Sequence, residues 1–122
     1  MEKIEKLRDE FAKAGIDGLL VTSPFNRRYI SNFTGSSGAV LIGAEKAKFI
    51  TDFRYVEQAQ KQCSGFEIVK HEGPIVNKLA EEVKSLGIRK LGFEQDYVTY
   101  AEYKTYEQTF KTELVPVSGM IE

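Results

Sequence analysis

The chain has 122 residues, 42% hydrophobic and 29% charged, the proportions of a single globular domain. Its 17 basic and 18 acidic side chains leave a formal net charge of −1, which supplies no field to hold nucleic acid or anionic lipid. The single cysteine, Cys63, excludes an internal disulfide, a CxxC redox pair and a thiolate zinc site, and reads as a small hydrophobe on a helix.

Ile4, Leu7, Phe11 and Ala14 recur at spacings of three, four and three, the inner face of a first helix that Gly15 ends. "GLLV" follows as a short strand buried on both faces. Ser23-Pro24 reads as an N-cap with proline in the first turn, opening the helical segment "PFNRRYIS". The runs "AVLIG" and "KFIT", separated by "AEKA", predict an antiparallel hairpin. Asp52 caps a further helix with Val56, Ala59 and Cys63 inside, and Gly65 stops it before the strand "FEIV". Gly73-Pro74 starts a helix carrying Val76, Leu79, Ala80 and Val83, which Gly87 closes ahead of the strand "KLGFE". Thr99 and Glu102 make a capping box before Tyr103, Tyr106 and Phe110. In the last strand, "ELVPV", Pro116 indicates an edge or a strand end.

Helices alternating with short buried strands predict an α/β domain, a mixed and mostly parallel sheet with one hairpin, flanked by helices. No linker divides residues 1–122, and the stop at "VSGMIE", directly after a strand, leads to the expectation of a domain boundary there. No apolar run approaches a bilayer span and the acidic N-terminus has no signal-peptide pattern, so the expected compartment is the cytoplasm.

The stretch "FTGSSG", Phe33 to Gly38, invites a test for phosphate binding. A Walker loop needs G-x-x-x-x-G-K-[ST], but Gly35 and Gly38 stand too close together and Ala39-Val40 follow where Lys and Ser/Thr belong. The loop feeds a strand and not the helix N-terminus that phosphate cradles use. It is read instead as a turn that shapes a pocket edge or interface. At least one of Gly35 and Gly38 is then expected to adopt positive φ or to admit a close backbone approach.

Catalytic groups are scarce. His71, the only histidine, lies in a loop after a strand, where a surface or strand-end role is the simpler reading. Ser36 and Ser37 lack the G-x-S-x-G elbow and have only that histidine as a base. Asp52, Glu94 and Asp96 stand at strand ends, and side by side they could hold Mg²⁺ or Mn²⁺ for metal-dependent hydrolysis. Otherwise Asp52 caps a helix and pairs with Arg54, while Glu94 and Asp96 are exposed loop charges. Arginines and rings offer more. Asn26, Arg27, Arg28, Tyr29, Asn32 and Phe33 adjoin a loop expected to be flexible, and Phe53, Arg54 and Tyr55 follow the hairpin. Planar guanidiniums beside rings suit a peptide carboxylate or a partner surface. These segments are expected to meet in a polar-aromatic surface, with some of the rings serving as core.

"NRRYISNFTGSSGAVLI" followed by "AKFITDFRYVEQA" resembles the N-terminal domain of the creatinase/prolidase family, which includes Xaa-Pro aminopeptidases and Xaa-Pro dipeptidases. The family pattern Asn-x-x-Tyr, Phe-Thr-Gly-Ser and Thr-Asp-x-Arg-Tyr-x-x-Gln-Ala falls on Asn26, Tyr29, Phe33 to Ser36, Thr51, Asp52, Arg54, Tyr55, Gln58 and Ala59. Phe53 stands where many members carry glycine. The resemblance implies a separate catalytic domain of pita-bread fold, with two divalent metals (Mn²⁺, Co²⁺ or Zn²⁺) on two Asp, one His and two Glu. None of those ligands is assigned to this chain. It further implies a non-catalytic domain of a homodimeric or tetrameric peptidase acting on Xaa-Pro peptides, helping to wall a neighbour's active site. On that reading Asn26, Arg27, Arg28, Tyr29, Phe33, Arg54 and Tyr55 serve the pocket or interface, and Gly35, Ser36, Gly38 and Asp52 build the loop. A small metal hydrolase on Asp52, Glu94 and Asp96, or a purely structural interaction domain, are the alternatives.

Overall fold

A computed structural model describes residues 2–121. Six helices and six strands follow in the order α1 (Glu2–Asp9), α2 (Phe11–Ala14), β1 (Gly18–Val21), α3 (Pro24–Ser31), β2 (Ala39–Ile42), β3 (Ala47–Thr51), α4 (Val56–Gln62), β4 (Glu67–Lys70), α5 (Ile75–Ser85), β5 (Lys90–Glu94), α6 (Tyr100–Phe110) and β6 (Glu113–Val117). A short 3-10 turn, Phe53–Tyr55, leads into α4. The predicted first helix is two pieces, because the Glu10 N–H turns back to the Leu7 carbonyl at 3.0 Å and tightens the chain there.

The strands form one sheet in the order β4-β3-β2-β1-β5-β6. β1 and β2 are antiparallel, as are β2 and β3, while β1–β5, β3–β4 and β5–β6 are parallel. Every strand except β2 therefore runs the same way. β6, with Pro116, lies at one edge as expected.

The apolar strands serve two cores by alternation. Leu19, Val21, Val40, Ile42 and Phe49 join Ile4, Leu7, Phe11, Ile30, Phe33, Ala59 and Cys63 on the face covered by α1 to α4. Leu20, Ala39, Leu41, Ile50 and Leu91 meet Leu79, Val83, Tyr106 and Phe110 of α5 and α6 on the other. This is why "GLLV" and "AVLI" read as continuous hydrophobic runs. Lys48 is the one charged residue within β2 or β3; its buried ammonium pairs with Glu82 of α5 and lies 3.9 Å from Glu67. Burial pushes the Cys63 thiol up to about 11, against a lowering contact from the Ser31 hydroxyl, so it packs as an inert hydrophobe.

Candidate functional site at the carboxyl edge of the sheet

Because β1, β3 and β5 are parallel, their connections leave from one edge, and the antiparallel β2 begins there. α3, the 34–38 loop and residues 52–55 are thereby brought together, as the sequence predicts. Arg27 joins two of them. Its Nη1 donates to the Gly38 carbonyl at 3.1 Å and its Nη2 to the Gly35 carbonyl at 3.0 Å. It is only 6% exposed, so it is a strut beneath the loop and not a surface charge. Desolvation lowers its pKa, partly offset by the Tyr97 phenol, and its Nε has no partner among the described residues.

Both glycines are required. A Cβ on Gly35 would stand 2.4 Å from the Phe33 ring, and one on Gly38, at φ 151°, would stand 2.6 Å from the Phe49 ring. Phe33 is itself fully buried, 4.6 Å from Phe49 and edge-on to Tyr55 at 5.9 Å. Its assignment to a pocket or interface is corrected: it is the core ring over which the loop folds.

The expectation of a flexible loop is corrected as well. Thr51 Oγ1 donates to the Ser37 carbonyl at 2.9 Å, and Ser36 Oγ lies 2.9 Å from the Tyr55 hydroxyl. The Thr34 N–H donates to Gln62 Oε1 at 3.0 Å, while Gln58 and Gln62 amides donate to Thr34 Oγ1 at 3.1 and 3.0 Å. Side chains from α3, β3 and α4 thus hold the loop in place. Thr51 and Gln58 stand in the family pattern, whereas Gln62 gave no signal of this in sequence, since its partner is a loop distant along the chain.

At the end of β3, Asp52 accepts the Arg54 backbone N–H at 3.0 Å and grips its guanidinium at 3.1 and 2.8 Å. Those bonds, chiefly the side-chain pair, hold the Asp52 carboxyl below its ordinary value. A depressed folded pKa contributes stability that is present above the unfolded value, about 3.9, and lost as pH falls through the folded one. Asp52→Asn keeps an N-capping side chain but not the ion pair. Its stability is therefore expected to fall less than the wild type's as the pH is lowered below about 4, measured by urea unfolding. Parallel pH profiles for the two proteins would remove the pair from the account. Phe53 (75%), next to Asp52, and Phe25 (82%) and Arg28 of α3 are exposed, while Tyr29 lies half-exposed beneath the Lys3 ammonium of α1 at 4.2 Å.

Asp52, Glu94 and Asp96 do not form a metal centre. β2 and β1 separate the ends of β3 and β5, about 14 Å at ordinary strand spacing. Glu94 is not an exposed loop charge either. Its Oε1 accepts the Thr22 and Ser23 N–H groups at 2.7 and 2.9 Å; its Oε2 accepts the Ser23 hydroxyl and Asn26 amide at 2.8 and 2.7 Å. With four donors, both oxygens are committed. Glu94 thereby caps α3 from another strand, and the Ser23 hydroxyl, expected to be that cap, donates to Glu94 instead. Among the described residues no three His, Cys, Asp or Glu side chains are grouped to hold a metal ion. His71 extends the β4 ladder to the Thr51 carbonyl at 3.0 Å and its Nδ1 meets the Gly73 carbonyl at 2.9 Å, a strand-end role.

The chain is 50% identical over 121 residues to the uncharacterized peptidase YqhT of Bacillus subtilis, covering 98% of this chain and 34% of that protein. Its structure superimposes on a Xaa-Pro dipeptidase from Bacillus anthracis with a TM-score of 0.99 and 56% identity, covering 100% of this chain and 34% of the other. The N-terminal domain of the cytoplasmic peptidase PepQ from Mycobacterium tuberculosis gives a TM-score of 0.89 at 34% identity, covering 98% of this chain and 95% of that one. The chain thus spans about a third of the length of the curated relative from B. subtilis. The family model for the Creatinase/Prolidase N-terminal domain matches residues 3–122, and the chain belongs to that family.

Proposed function

We propose that this chain is the non-catalytic N-terminal domain of a Xaa-Pro metallopeptidase, of aminopeptidase or dipeptidase type, and that its carboxyl edge shapes the substrate pocket and the subunit contact of a homodimer. The observation that carries this is the convergence at one edge of α3, the clamped 34–38 loop and the Asp52–Arg54 pair. Asn26 and Arg27 build that edge from within, Arg28 and Arg54 are exposed at it, Tyr55 is partly buried against Phe33, and Tyr29 is exposed beneath Lys3 of α1. The relatives' descriptions as Xaa-Pro dipeptidase and putative Xaa-Pro aminopeptidase support the substrate class. The two divalent cations (Mn²⁺, Co²⁺ or Zn²⁺) are assigned, on this reading, to a separate catalytic domain. The cytoplasm is the proposed compartment. It is supported by the relative described as a cytoplasmic peptidase.

The isolated chain is expected to release no N-terminal residue from Xaa-Pro peptides with Mn²⁺ or Co²⁺ added, whereas the full-length parent does. Turnover that survives purification and disappears on substituting Asp52, Glu94 or Asp96 would overturn the proposal.

A further inference from the structure

A second feature of the same edge is a cavity of about 190 Å³ between the ends of β1, β5 and β6. Its position has a topological cause. The connection leaving β1 runs to α3 on one face, and that leaving the neighbouring parallel β5 runs to α6 on the opposite face. Adjacent parallel strands whose connections part in this way leave a crevice at their carboxyl ends, where open α/β sheets bind ligands.

The walls select for one chemistry. Leu19, Val117 and Ile121 supply an apolar floor. Among the described residues that line it, none is Lys, Arg or His. Of the two carboxylates, Glu94 adds charge but no free lone pair, since four donors already occupy it. Asp96 accepts the Ser118 hydroxyl on Oδ2 and leaves Oδ1 open. Asn26 spends its amide N–H on Glu94 and keeps a carbonyl oxygen. Among the described residues no three His, Cys, Asp or Glu side chains are grouped here to hold a metal ion, and one open carboxylate oxygen would leave a divalent cation bound mostly by water. It can satisfy one ammonium, with Asn26 and the Tyr97 hydroxyl as further acceptors. The volume is below the roughly 300–1,000 Å³ of drug-sized sites and equals that of about six waters, room for an aliphatic amine and little more.

We propose that this cavity binds the primary ammonium of a small aliphatic amine, and that the source is a peptide N-terminus and not a free amino acid. The second part follows from the walls, because a free amino acid would bring a carboxylate that meets no cation. Asp96 is exposed, so its pairing with the ammonium is screened and the affinity is millimolar. The site uses neither Arg54 nor the 34–38 loop, so its failure leaves the proposed role of those residues standing.

The test is a titration of the 122-residue chain with L-leucinamide, followed in ¹H–¹⁵N correlation spectra. Saturable shifts are expected at Asp96, Tyr97, Ser118 and Met120. Leucylglycinamide is expected to match leucinamide, free leucine to bind several-fold more weakly, and N-acetyl-leucinamide to leave the spectrum unchanged. Asp96→Asn should weaken leucinamide binding about two- to fivefold while the remaining spectrum stays folded. Ser118→Ala, which frees the second Asp96 oxygen, should keep or strengthen it. No saturable shift, equal binding of the acetylated probe, or an unaffected Asp96→Asn variant would each overturn the site. Free leucine binding as tightly as the amide would overturn the peptide source.

Discussion

Glu94→Ala is expected to remove about 3 kcal/mol of folding stability, a large part of the ~5–15 kcal/mol typical of a domain. The variant strips the acceptor from the Thr22 and Ser23 N–H groups and from the Ser23 and Asn26 side chains at once. Leaving one buried donor unmet costs about 1–3 kcal/mol, and here a carboxylate is also lost from a helix N-terminus. Glu94→Gln separates these effects. Its remaining oxygen can still serve the two backbone donors, but its NH₂ is set against the Ser23 hydroxyl and the Asn26 amide, so an intermediate loss of about 1–2 kcal/mol is expected. Urea unfolding with an unchanged m-value measures both. The damage should also reach the loop: α3 carries Arg27, and amide exchange at residues 34–38 should accelerate in step. A loss under about 1 kcal/mol for the alanine variant would mean that water replaces Glu94 and that α3 needs no cap from β5.

Glu94 also marks where the sequence stops being informative. The elements were legible because their signals are local: apolar runs bounded by glycine, a Thr99/Glu102 box, a proline in the last strand. The Thr99 box is present with both reciprocal bonds because its partners are three residues apart. The partners of Glu94 lie 68 to 72 residues away, and only the parallel register that sets Leu20 beside Phe93 brings them within reach. Arg27 and Phe33 fail for the same reason. An arginine beside tyrosines reads as surface until the carbonyls of Gly35 and Gly38 are seen to enclose it, and Phe33 becomes core only once Phe49 lies beneath it. The three segments meet at one edge as the pattern of residues predicts, but which of their side chains are exposed was decided by packing that no spacing encodes.

Arg54→Ala, in the full-length peptidase proposed above, is expected to lower kcat/KM on Xaa-Pro peptides several-fold, mostly through KM. Arg54 differs from the buried Arg27 in what it leaves available. Asp52 engages its Nε and Nη2 and fixes the plane of the guanidinium, while the side chain remains 62% exposed. The free Nη1 therefore projects from a group already immobilised, so a carboxylate arriving at this edge meets a donor whose ordering cost was met on folding. Tyr55 supports it at 5.3 Å and is itself tied to Ser36 of the loop. Arg54→Lys should recover only part of the loss, because an ammonium cannot be gripped on two atoms by Asp52 and still present a third. Asp52→Asn should fall between wild type and Arg54→Ala, since it frees the guanidinium without removing it. Metal content should be unchanged in all three, which separates an effect at the pocket wall from a damaged catalytic centre. Arg28→Ala is the comparison on the neighbouring surface, with sedimentation reporting whether that charge serves assembly. Wild-type kinetics and wild-type assembly in both Arg54→Ala and Arg28→Ala would reduce the edge to ordinary solvated exterior, because no ligand or subunit would then be using the donor that Asp52 holds in place.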